Sequence, residues 1–158
     1  MPDIGAADGR ALLWRVERAL GGRPLGTISD EATVRQLEAL WSDPTWADDP
    51  GLMVCASNLA TIRANRREWQ LQERLIVEAR ALFNSRAEAW GDLADRHRTE
   101  TADEMFQGLT MDLIEILRRR GDWDQLRIVA ADLLRRFPGT PFRQALFEAM
   151  DEAMRLGR

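Results

Sequence analysis

Residues 121–139 read GDWDQLRIVAADLLRRFPG. Asp122-Trp123-Asp124-Gln125 has the form of a capping box, in which the Asp carboxylate takes an orphan N–H of the first turn and Gln reaches back. Trp123, Leu126, Ala130, Leu133 and Phe137 then recur at three- and four-residue steps, which is one apolar face of a helix. Gly121 before the stretch and Pro138-Gly139 after it are stop signals. The stretch therefore predicts an amphipathic helix over 122–137.

The same punctuation extends outward. Ser85-Arg86-Ala87-Glu88 and Thr101-Ala102-Asp103-Glu104 repeat the capping pattern, and Asp49-Pro50 and Thr140-Pro141 each place a capping residue before Pro. Ser29 precedes Asp30-Glu31, two carboxylates in a first turn where the helix dipole favours them. These marks divide the chain into expected helices near 6–20, 29–42, 50–66, 69–84, 86–98, 102–120, 122–137 and 141–156. Met105, Leu109, Leu113 and Ile116 form one apolar stripe, and Trp69, Leu75-Ile76, Ala79 and Leu82-Phe83 another. No window shows a sustained alternation rich in β-branched residues, so strands are not expected. The expected fold class is all-α. From residue 50 onward the links are short, which makes consecutive helices antiparallel hairpins. Gly21-Gly22-Arg23-Pro24-Leu25-Gly26 and the Pro- and Asp-rich turn at 42–50 loosen the earlier part. The expected organisation is an N-terminal helical arm over 1–49 and a helical-hairpin domain over 50–158.

The chain has 158 residues, 26 acidic and 22 basic, for a formal charge of −4, and every basic residue is Arg. A GC-rich coding genome suffices to explain that usage. Without Lys there is no Schiff base, no amine nucleophile and no phosphate-reaching lysine of a P-loop. One Cys and one His cannot complete a four-ligand zinc site, and a single Cys cannot form an intramolecular disulfide. Net acidity speaks against a dedicated nucleic-acid binder. The first residues show no apolar run of a signal peptide, and the longest uncharged stretch, 50–62, is too short to span a bilayer. The expected setting is cytoplasmic, with no membrane, cofactor or metal.

Two stretches resemble tetratricopeptide (TPR) repeats, helical hairpins that stack into solenoids. Gly121-Asp122-Trp123 through Phe137-Pro138 resembles the second helix of such a hairpin, with its Gly turn, early aromatic and closing Pro. Trp90-Gly91-Asp92-Leu93-Ala94 resembles the Trp-x-x-Leu-Gly opening of a first helix, with Ala81-Leu82-Phe83-Asn84 where a prior repeat would end. The resemblance covers residues 50–156 and implies a TPR-like array that binds a peptide or helix of a partner protein without doing chemistry. Its groove face would carry Ser57, Thr61 and Asn65 on the helix before Trp69 and Glu88, Asp95 and Arg98 on the helix that Trp90 opens.

Among the remaining candidates, Trp41 and Trp46 flank the polar turn 42–45, and each is either folded back or an interface anchor. His97 reads as a partly buried structural His and Cys55 as a small buried apolar group; a Cys55–His97 dyad is the catalytic alternative. Glu100, Asp103, Glu104, Asp112 and Glu115 lack the Glu-x-x-His motif of a di-iron bundle. Arg63 with Arg66-Arg67, Arg118–Arg120 and Arg135-Arg136 lie near helix C-termini, where cations complement the dipole. The leading expectation is a non-enzymatic adaptor, scaffold or chaperone, whose arm is available to cap the array or swap into a homodimer. The alternatives are an accessory subunit touching nucleic acid through the Arg clusters, and an enzyme using carboxylates and His97.

Overall fold

A computed structural model describes residues 11–157. Among these residues seven α-helices follow one another: α1 Ala11–Leu20, α2 Glu31–Ser42, α3 Leu52–Asn65, α4 Trp69–Gly91, α5 Arg96–Arg120, α6 Trp123–Arg136 and α7 Arg143–Leu156. Single 3-10 turns at Leu25–Thr27 and Pro44–Trp46 sit in the first two links, and no strand occurs among the described residues. No helix among them is long and apolar enough to cross a membrane. The chain divides into two compact units, 1–106 and 107–158; α5 contributes residues up to Phe106 to the first and from Gln107 to the second.

In the first unit, α1 stops at Gly21, whose N–H still bonds the Glu17 carbonyl and whose positive φ of 63° turns the following chain out of the helix. Arg23 joins this end to the start of α2. Its guanidinium donates to the Leu20 and Ala19 carbonyls at 2.8 and 3.1 Å, to Asp30 at 2.8 Å and to the Thr33 hydroxyl at 2.7 Å. Asp30, not Ser29, caps α2: its carboxylate accepts from the Thr33 N–H and hydroxyl. These bonds, the Thr33 hydroxyl first and Arg23 next, hold the Asp30 carboxyl far below the usual carboxylate range. Leu12 and Val16 of α1, Ile28 of the link and Val34 and Leu37 of α2 are buried, as are Met53, Ala56, Leu59, Ala60 and Ile62 of α3. Residues 11–49 of the segment expected as an arm lie within the first unit, where α2 and α3 pack together.

The expected helix over 86–98 does not exist. The Ser85 hydroxyl donates back to the Leu82 carbonyl at 2.8 Å, and the Thr101 hydroxyl to the His97 carbonyl at 2.8 Å. Both side chains bond to the turn before them instead of capping the turn after, so the helix runs through each. The break falls at 92–95, where the Asp95 carboxylate accepts from the Arg98 N–H. Trp90 therefore closes a helix instead of opening one. It is buried, its indole N–H donates to the Asp48 carbonyl at 2.9 Å, and its own carbonyl accepts from the Thr99 hydroxyl at 2.8 Å. Phe83 meets Trp90 edge-on and stacks on Phe106 with ring centroids 4.2 Å apart. Of the expected α4 stripe, Leu75, Ile76, Ala79 and Phe83 are buried, but Trp69 at its head is 52% exposed.

The second unit is an apolar assembly. Leu109, Leu113, Ile114 and Leu117 of α5, Leu126, Val129, Ala130 and Leu133 of α6 and Leu146, Ala149 and Ala153 of α7 are buried. Each such Leu contributes about 1.5–3 kcal/mol. Trp123, Phe137 and Ile116 here, and Met105 in the first unit, expected on apolar faces, are half-buried. The Asp122 carboxylate accepts from the Gln125 N–H, as the capping box predicts. Gly157 closes α7 where a side chain has no room, since a Cβ there would stand 2.9 Å from the Cβ of Trp123 and 2.5 Å from the Ala153 carbonyl.

Candidate interaction surface

The corner between α3 and α4 organises the surface of the first unit. The Glu68 N–H donates to the Arg63 carbonyl and the Arg67 N–H to the Ala64 carbonyl, both at 2.9 Å, which is the Schellman pattern. That pattern needs a left-handed residue, and here it is Arg67, with φ 59°. Arg63 pairs with Glu38 and, at 3.0 Å, with Glu68; Arg66 pairs with Glu68 at 2.6 Å and Glu31 at 2.8 Å and donates to the Ser29 carbonyl. The hydrogen bonds from Arg63, then Arg66, hold the Glu68 carboxyl below its ordinary value.

Beside this network, α2, α3 and α4 enclose a groove of about 220 Å³. Trp41 and Ser42 come from the last turn of α2, Leu59 from α3, and Leu71, Arg74 and Leu75 from the first turns of α4. Leu71 also borders a neighbouring depression of about 420 Å³ that includes Arg67 and Trp69. Arg67 and Arg74 have no ion-pair partner among the described residues, in contrast to Arg63 and Arg66. An exposed Trp, an exposed Leu, a half-buried Trp and two unpaired Arg thus lie side by side.

Of the residues expected to bind a partner, only Trp41 lines this groove. Trp46 is 4% exposed with the Arg15 guanidinium over its ring, so it is folded back and is no surface anchor. Ser57, Thr61 and Asn65 do share one stripe of α3. The Thr61 hydroxyl donates to the Ser57 carbonyl, and the Asn65 amide donates to the Leu25 and Ile28 carbonyls, tying α3 to the first link. Glu88 is exposed near the end of α4, Asp95 caps α5, and Arg98 pairs with Asp49 at 3.0 Å with both side chains largely buried. Leu71 and Arg74 were not anticipated: Leu71 stands one turn before Leu75 and reads as core, and the only signal for Arg74 was its place in α4.

The two candidates for chemistry, His97 and Cys55, differ in exposure. His97 is exposed, not partly buried, because Trp90 belongs to a different helix. Cys55 is buried, its thiol donates to the Leu37 carbonyl at 3.4 Å, and burial pushes it up to about 12. A thiol so placed is not a nucleophile at neutral pH. Among the described residues no group of three or more His, Cys, Asp or Glu is arranged to hold a metal ion. Of the other Arg groups, Arg118 pairs with Glu115 and Glu152, Arg119 with Glu115, and Arg135 and Arg136 with Asp132. No protein-family model, no curated protein and no solved structure matches this chain.

Proposed function

We propose that this chain is a non-enzymatic interaction module that receives a segment of a partner protein on the α2–α4 face. The observation that carries the reading is the groove holding Trp41 and Leu71, with unpaired Arg74 at its edge and Trp69 and Arg67 beside it. Trp and Arg dominate binding energetics at protein interfaces, and an exposed Leu between two Trp gives such a surface an apolar centre. The resemblance of Gly121–Pro138 to a tetratricopeptide helix supports the same use, because hairpins of that kind bind peptides and helices. A cytoplasmic adaptor, scaffold or chaperone, with or without homodimerisation, fits this reading. The rival reading, nucleic-acid contact through Arg clusters, has less behind it because most of those Arg already face carboxylates.

The test is affinity capture from lysate of the native host with the full chain and with Leu71→Asp, after nuclease treatment and at two salt concentrations. The expected result is one protein recovered near stoichiometrically at both salts by the unaltered chain and lost with Leu71→Asp. Nucleic acid recovered at low salt only would replace the reading with its rival.

A further inference from the structure

A second depression lies against a different face of α2, between it and α1, and encloses about 480 Å³. Trp14 and Arg18 form its α1 wall, Gln36 and Leu40 its α2 wall, and Ala19 and Ala39 are the smallest side chains facing it. A larger side chain at either alanine would narrow the seam. Trp14 is 55% exposed, and the Arg18 guanidinium lies over its ring, 5.0 Å from the centroid. Two of the described lining residues are charged, and both are cations: Arg18, which has no carboxylate partner among the described residues, and Arg15, which also faces Asp43 and the Trp46 ring. Among the described residues no carboxylate lines the seam.

We infer that this seam is a docking site for an acidic amphipathic helix of a partner protein. An apolar side chain sits over Ala19 and Ala39, and a carboxylate one turn away meets Arg18. The charge of the lining sets the sign of the partner, since a basic segment would bring like charges together. The shape sets its form. An extended segment needs main-chain donors and acceptors to pair with, and the sides of α1 and α2 offer none because their backbone groups are bonded within each helix. A helix carries its own backbone bonds and lies along a two-helix seam with side chains alone. The inference does not rest on the α2–α4 groove.

The experiment is an NMR titration of the full ¹⁵N-labelled chain with two synthetic helical peptides. Both carry a Leu stripe; one has Glu flanking it, and its twin has Lys at the same positions. The acidic peptide is expected to shift the Trp14 indole N–H and the Ala19 and Ala39 amides, with the basic twin silent. Arg18→Gln weakens the binding about tenfold, the effect of removing one charge-assisted contact. Ala39→Trp, an exposed position that tolerates the larger side chain, abolishes it. Equal binding of the two peptides, no binding of either, shifts centred on Trp69 and Leu71, or unchanged affinity in Arg18→Gln each overturns the inference. Loss of a lysate partner on Leu71→Asp has no bearing on these readouts, so the two proposals fail separately.

Discussion

Two corners of this molecule have the same backbone and opposite chemistry. At the end of α5, the Asp122 N–H reaches the Leu117 carbonyl and the Gly121 N–H the Arg118 carbonyl; at the end of α3, Glu68 and Arg67 do the same toward Arg63 and Ala64. The left-handed position is Gly121 in one and Arg67 in the other, with φ 73° and 59°. The residue three positions inside the helix is a buried Leu117 in the first case and the ion-paired Arg63 in the second. The residue after the turn differs too. Asp122 caps α6, whereas Glu68 makes no side-chain cap for α4 because its carboxylate faces Arg63 and Arg66. A Schellman turn can thus be closed by apolar packing and glycine or by a salt-bridge network and a strained arginine. Only the second leaves an exposed tryptophan and an unpaired guanidinium at the surface.

The largest way to break the glycine corner is Leu117→Ala. It removes a buried side chain and should lower stability by about 2–4 kcal/mol in urea melts. Gly121→Ala should cost about 1 kcal/mol. A Cβ there meets nothing nearer than the Trp123 indole nitrogen at 3.9 Å, so the loss measures backbone conformation alone. The mirror experiment sharpens the comparison: Arg67→Gly should stabilise the fold by about 0.5–1 kcal/mol by relieving the left-handed strain. Loss of stability in Arg67→Gly would show that the Arg67 side chain holds the corner. The smallest effect is on pH. The folded carboxyl of Glu68 is depressed, so its contribution is complete above its ordinary value of 4.5 and disappears as pH falls through the folded value. The protection of the Arg67 and Glu68 amides, relative to their intrinsic exchange rate at each pH, should therefore fall in acid, and Arg63→Ala, lacking the first partner of Glu68, should flatten that dependence.

These corners also show what a sequence discloses. Gly121 announces its turn because only glycine enters the left-handed region without strain, and Asp122 through Gln125 formed the cap its spelling implies. Arg67 announces nothing, since no local rule puts arginine there. Ser85 and Thr101 carry the same spelling as a real cap, yet each hydroxyl bonds backward. The break moved to 92–95, beside Trp90, whose indole is held from 42 residues away by the Asp48 carbonyl. That partner is set by tertiary structure and is invisible in a window of neighbours. The candidate surface was legible to the same extent. Trp41, beside a polar turn, could be singled out, whereas the burial of Trp46 beneath Arg15 and the exposure of Leu71 depend on which helices meet.

The uneven placement of the tryptophans has an optical consequence. The chain contains no Tyr, so its near-ultraviolet emission comes from the indoles. Trp46 and Trp90 are enclosed and Trp14 and Trp69 face solvent, one at each depression. A water-borne quencher such as iodide should extinguish the red-shifted part of the spectrum first. Replacing Trp14 or Trp69 by Phe separates that part into two signals, so occupancy of either depression can be followed by light, without a label.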